Sequence, residues 1–204
     1  MNFIFISPSM KDLVRLLRAW RFWMLGAVVG ALLGAAFYFV VPPPYRARAT
    51  VNVDFNLEQA WPQDTDRQQF YYLERETRKL EEIAWSDEVM SQLSSEFAIP
   101  IEDLRGHILQ LSQPAEAGWH FYADYRNAKT AEGLASAWVK AFAEKAQSEV
   151  KSGNVNEFVK LEVTQSENLP KSKSISLSKY LLVGSVGLLM IAVFVVLFIK
   201  PKAK

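Results

Sequence analysis

Two long apolar runs bracket a segment of mixed pattern. Residues 22–41 (FWMLGAVVGALLGAAFYFVV) and 180–199 (YLLVGSVGLLMIAVFVVLFI) each hold 17 hydrophobic residues in 20 and no charged one. About 20 residues at 1.5 Å rise match a hydrocarbon layer roughly 30 Å thick. A soluble core helix is rarely apolar on every face for five turns, so both runs read as membrane spans. The first is longer than a signal-peptide core and runs into Pro42, Pro43 and Pro44 instead of a small-x-small cleavage site, which marks an uncleaved anchor.

Between the runs the period changes. Tyr45, Ala47, Ala49, Val51, Val53 and Phe55 alternate with Arg46, Arg48, Thr50, Asn52, Asp54 and Asn56, which predicts a strand with one wet face. Residues 57–66 predict a polar loop. Phe70, Leu73, Leu80, Ile83 and Ala84 then recur at helical spacing and predict a helix over about 66–84. Ser86, with Asp87 and Glu88 behind it, is an N-cap that opens a second helix with Val89, Met90, Leu93 and Phe97 inward, ended by Pro100. A short third helix is expected over 101–105, then strands at HILQLS (107–112) and WHFYADY (119–125).

Asn127 caps a long helix with Ala131, Leu134, Ala135, Trp138 and Phe142 on one face, and Val159, Leu161 and Val163 alternate as a last strand. Four strands and three helices make an α+β domain. Residues 166–178 are polar and short of core residues, so they read as a tether into the second span. The first and last strands lead from and to the spans, and are therefore expected to lie close enough to pair.

Composition and charge add compartment and exclusions. The 138 residues from 42 to 179 have the size of one domain with its own core. The chain has no cysteine, which removes disulfides, thiolate metal sites and cysteine nucleophiles. A net charge of +1 with no basic stripe in the middle segment argues against nucleic acid. Residues 1–21 and 200–204 carry 7 Lys or Arg, whereas 42–179 carry 16 against 21 Asp or Glu. Dense positive charge at both ends predicts cytoplasmic termini and an outer domain. Lys171, Lys173 and Lys179 weaken that signal without reversing it.

Candidate sites are few. Gly26, Gly30 and Gly34, with Ala27, Ala31 and Ala35 beside them, form a smooth stripe on the first span that predicts close helix packing, with Gly184 and Gly187 as a candidate partner surface. Leu13, Leu16, Leu17 and Trp20 opposite Lys11, Arg15 and Arg18 predict an amphipathic helix at the inner leaflet, with Ser9 as N-cap and Asp12 three residues on. His107 and His120 read as strand residues, and a metal site would need a third ligand such as Asp124. Glu74, Glu76, Glu81 and Glu82 alternate with Arg75, Arg78 and Lys79 as a solvated helix face. No phosphate loop, nucleophile elbow or Cys-His pair appears, so no enzyme, cofactor or metal is expected. The aromatics Trp61, Phe70, Tyr71, Tyr72, Trp85 and Trp119 have core spacing. Tyr71 and Tyr72, the pair least easily buried together, are the candidate glycan or partner contact.

In this order the pieces resemble the chain-length determinant (Wzz-type) family of bacterial polysaccharide co-polymerases. PPPYRARATVNV is similar to the family's Pro-x-Tyr-x-Ala-x-Ala strand, and WSDEVMSQLSSEFAI to its Ser-x-x-Val-Leu helix through Ser86, Val89, Met90 and Leu93. WHFYADYRNAKTAEGLASAWVKAF resembles its strand followed by Asp-Pro-x-x-Ala-x-x-Ile-Ala-Asn. Ala131, Leu134 and Ala135 fit that pattern, while Asn127, Ala128 and Ser136 depart from it. Pro170 alone stands where the family favours several prolines. The family's long helical arm is reduced or missing, and no kinase domain or Walker motif follows the second run.

The resemblance implies a non-enzymatic, oligomeric, multi-pass protein of the bacterial inner membrane with a periplasmic domain. Such a protein would work with polymerase or export machinery on the length or passage of a surface polysaccharide. The alternative is a structural subunit of another envelope assembly or secretion complex.

Overall fold

A computed structural model describes residues 10–60, 66–113 and 118–198, apart from the side chains of Lys11, Asp12 and Asp66. The chain divides into two units, one made of Pro44–Ser174 and the other of the segments on either side. The first is a mixed helix-and-sheet domain with a small antiparallel sheet, and the second contains two helices long and apolar enough to cross a membrane.

The flanking unit begins with α1 (Met10–Arg18), broken at Ala19 from α2 (Trp20–Val40); its other long helix is α8 (Leu177–Phe198). The predicted N-cap Ser9 lies outside the described residues. Trp20 belongs to α2 and not to the amphipathic helix, on which Leu13, Val14 and Leu17 stand exposed. The two long helices run antiparallel, since Gly26 lies by Ala192 and Gly34 by Tyr180. Most of their apolar side chains, such as Leu25, Leu32, Phe39, Leu182 and Phe194, point away from the chain. A buried core helix of a soluble protein would not leave them so.

In the domain, β1 (Tyr45–Asp54) is central, as its alternation predicts: Ala47, Ala49 and Val51 are buried while Arg48, Asn52 and Asp54 are exposed. After it come α3 (Leu57–Ala60), α4 (Asp66–Ala84), α5 (Asp87–Phe97) and α6 (Ile101–Asp103). The loop expected at 57–66 thus contains a short helix. A turn of π-helix, Leu104–Ile108, leads into β2 (Leu109–Ser112), so His107 sits on that turn and not in a strand. Then follow β3 (Trp119–Tyr125), α7 (Ala128–Lys151), β4 (Lys160–Gln165) and β5 (Lys171–Lys173).

Caps fall where the sequence puts them. Ser86 Oγ accepts from Val89 N at 3.4 Å, and Asn127 Oδ1 accepts from Lys129 N at 2.8 Å. α5 stops at Ala98, whose left-handed conformation (φ 52°) turns the chain before Pro100 can clash.

The sheet order is β2-β3-β1-β4, with β5 on the β4 side of β1. Every pairing is antiparallel, so β1 is held by β3 along most of its length and by β5 and then β4 on the other edge. The tether expected over 166–178 is partly structure: Leu169 is buried, its N–H donates to Glu132 at 3.2 Å, and Lys171 Nζ reaches the same carboxylate at 2.5 Å. Those two contacts fasten β5 beside β1. Tyr45 pairs with Lys173, so the domain's two ends lie side by side.

Helices α4, α5 and α7 cover one face of the sheet. Trp138 and Phe142 of α7 are fully buried against Phe121 of β3, with ring centroids 4.8 and 5.0 Å apart. The alanines of β1 leave room for these rings. Trp138 Nε1 donates to the Ala84 carbonyl at 2.9 Å, which ties the end of α4 to α7.

Candidate functional site

The glycine stripe of α2 faces the chain's own α8. A Cβ added to Gly30 would land on the Gly184 carbonyl, one on Gly34 on the Tyr180 carbonyl, and one on Gly26 would stand 3.0 Å from Ala192 Cβ. Removing side chains lets the two backbones approach closely, the packing device also used by helices that associate in lipid. Gly184 is the counterpart on α8, whereas nothing lies within 4 Å of a Cβ on Gly187. A second copy could use this stripe only by opening the hairpin.

Tyr71 and Tyr72 point to different environments. Tyr72 is buried, its hydroxyl donates to the Phe55 carbonyl at 3.4 Å, and burial followed by the nearby Glu76 carboxylate pushes its phenol above the usual range. Tyr71 is exposed beside Phe70 and accepts from Arg67 Nη2 at 3.5 Å. They therefore do not form one stacking platform. Trp85 and Trp119 pack with the core, and Trp61 lies outside the described residues.

Glu76 corrects the reading of α4 as a uniformly solvated acidic face. It is fully buried, accepting from Arg75 Nε at 2.9 Å, Lys79 Nζ at 3.0 Å and Asn156 N at 3.1 Å. Burial pushes the carboxyl up, but the three donors outweigh it and hold it below the usual range. Glu74, by contrast, makes the exposed pair with Arg78 that the spacing predicts.

The face of the sheet opposite the helices presents a polar grid that sequence reasoning missed. Cross-strand register sets Arg48, Tyr122 and Gln110 in one row and Thr50, His120 and Ser112 in the next. Above them Arg46 forks onto Asp124 with bonds of 2.7 and 2.6 Å and lies 5.3 Å from the Tyr122 ring. That hydrogen bond raises the Arg46 guanidinium, against the opposing effect of burial. His120 shares a 3.1 Å hydrogen bond with Thr50, and burial, then the charge of Arg48, pushes its imidazole below the usual range. The wet half of the β1 alternation was the available signal; which residues would stand opposite was not.

Asp124, the carboxylate suggested as a third metal ligand, is engaged by Arg46, and the two histidines lie on different elements. A shallow cleft of about 610 Å³ between α5 and α7 is lined by Gln92, Phe97, Thr130, Gly133 and Lys140 among others. The geometry defines a mixed α and β domain inserted between two apolar helices. No protein-family model matches the chain, and no curated protein matches it either.

Proposed function

We propose that this chain is a non-enzymatic, two-span protein of the bacterial inner membrane, with both termini cytoplasmic and the α+β domain in the periplasm. In this reading it belongs with the polysaccharide co-polymerases. Copies assemble beside polymerase or export machinery and set the length or passage of a surface glycan, without making or breaking a glycosidic bond.

The observation that carries the reading is the pairing of Tyr45 with Lys173, which brings the two ends of the domain together as an antiparallel helix hairpin requires. Supporting it are the outward-facing apolar side chains of α2 and α8, the basic residues Arg15 and Arg18 on α1 and Arg21 at the start of α2, and the motif order already described. Because the glycine seam is occupied within the chain, assembly must use other surfaces, of which the exposed Phe70 and Tyr71 on α4 are one.

Deleting the gene and resolving surface polysaccharide by gel tests the glycan role; unchanged amount and length distribution would remove it. Protease added to spheroplasts should cut the domain, and cleavage only from the cytosolic side would invert the topology.

A further inference from the structure

The end of the domain where the chain arrives and leaves is basic, although the domain as a whole is acidic. Pro44–Ser174 holds 15 Lys or Arg against 21 Asp or Glu. The stretches meeting at that end, residues 45–48, 122–129 and 171–173, hold six basic residues and one acid, Asp124. Asp124 is taken by Arg46, and Lys171 is taken by Glu132. Arg48 and Arg126 are exposed and make no ion pair among the described residues. The turn before β2 adds His107, Glu102, Asp103 and Arg105, which Asp87 and the Trp85 carbonyl engage; with Asp87 and Glu132 counted, the end keeps seven Lys or Arg against five acids.

Tyrosines accompany these cations. Tyr45 and Tyr125 stand opposite each other across β1 and β3, and Lys173 Nζ lies 3.7 Å from the centroid of the Tyr45 ring. Tyrosine together with Lys and Arg is the composition of a membrane–water boundary. The connecting chain is short, four residues from α2 to β1 and three from β5 to α8. At about 3.5 Å per residue, neither linker reaches beyond roughly 17 Å.

We propose that this basic, tyrosine-bearing end rests on the phosphate headgroups of anionic phospholipids on the non-cytoplasmic side of the membrane. The inference depends on the membrane reading above and goes beyond it, because an anchored domain could equally stand clear of the surface. Charge complementarity selects the partner: near an anionic surface each basic residue is worth about fivefold in partitioning, and the attraction fades within a Debye length of about 10 Å.

The cysteine-free chain allows single spin labels on the full-length protein. Labels at Ser172→Cys, at Lys151→Cys on the far end of α7, and at Leu32→Cys on the outer face of α2 would be compared in two kinds of nanodisc. One holds phosphatidylcholine alone, the other equal parts of phosphatidylcholine and phosphatidylglycerol. The collision rate of the Ser172 label with an aqueous nickel chelate should fall about fivefold with phosphatidylglycerol and recover in high salt, as headgroup attraction demands. The Lys151 label, about 36 Å along α7, should not change.

Arg48→Gln with Arg126→Gln should abolish the difference, and Arg48→Lys with Arg126→Lys should keep it. A protected Leu32 label with equal Ser172 rates in both lipids overturns this inference alone. An exposed Leu32 label overturns the membrane reading itself. Protection of Ser172 by a soluble acidic polysaccharide, without any response to phosphatidylglycerol, assigns the basic end to a glycan and overturns the lipid assignment.

Discussion

Helices α2 and α7 are of similar length, 21 and 24 residues, yet each holds its partner by the opposite device. α7 inserts bulk: Trp138 and Phe142 fill the space over the sheet, each fully buried. α2 subtracts it, and Gly26, Gly30 and Gly34 let the α8 backbone come within reach. On the proposed membrane reading, the difference follows from the solvent. In water, burying a large ring is itself the driving force, whereas between helices in lipid only closer packing and backbone contact distinguish one arrangement from another. The same contrast governs α4, whose fate at each position turns on whether water or protein lies opposite.

The sharpest way to break the comparison is at its bulky side. Trp138→Ala removes the buried ring and the donor to Ala84, and should lower domain stability by about 3–5 kcal/mol, read by urea unfolding of the detergent-solubilised chain. At the subtractive side, Gly30→Leu forces a side chain onto the Gly184 backbone, costing about 1–3 kcal/mol or more. Its measurement uses a cysteine pair, Gly26→Cys with Ala192→Cys, which should form a disulfide on oxidation; adding Gly30→Leu should cut the yield by about tenfold or more, since 1.4 kcal/mol corresponds to tenfold. An undiminished yield would mean the seam tolerates bulk and the contrast with α7 is false.

Glu76→Gln sharpens the comparison within α4. It keeps the shape but loses the charge that Lys79 and Arg75 engage, and should cost about 1–2 kcal/mol at neutral pH. The pH dependence has a definite sign. Because the folded carboxyl lies below its ordinary value, its contribution is present above that value and is lost as pH falls through the folded pKa. The wild-type stability should therefore drop in acid below about pH 4.5, relative to the Gln variant. Smallest of all, Tyr71→Ala should change stability by no more than about 0.5 kcal/mol, because the ring is exposed; a larger loss would show it to be covered in the assembled protein.

The elements legible in the sequence are those whose signal is local. The alternation from Tyr45, the Ser86 and Asn127 caps and the apolar stripes of α5 and α7 all specify their own structure, and the folded chain follows them; α4 forms where its spacing predicts, but Phe70 of its stripe is exposed and Tyr72 is buried. What escaped depends on residues far away in sequence. β5 is only Lys-Ser-Lys, a strand because Tyr45, Arg46 and Ala47 stand opposite it. Glu76 is indistinguishable from Glu74 by spacing, and its burial is set by Asn156, 80 residues on. The grid of Arg48, Tyr122, Gln110, Thr50, His120 and Ser112 exists only once register is known. The glycine stripe and its counterpart at Gly184 were visible in the sequence, but the register that sets Gly34 against Tyr180 and leaves Gly187 off the seam was a question of topology.

The side-by-side ends of the domain have a mechanical consequence. Tension that draws Tyr45 away from Lys173 loads the three-residue β1–β5 ladder one rung at a time, in the manner of a zipper, instead of shearing all its bonds together. Beside that ladder, only the contacts of Lys171 and the Leu169 N–H with Glu132 pass the load directly to α7. With only three residues in its ladder, β5 is expected to part before the longer pairing of β1 with β3, in the manner of a fuse.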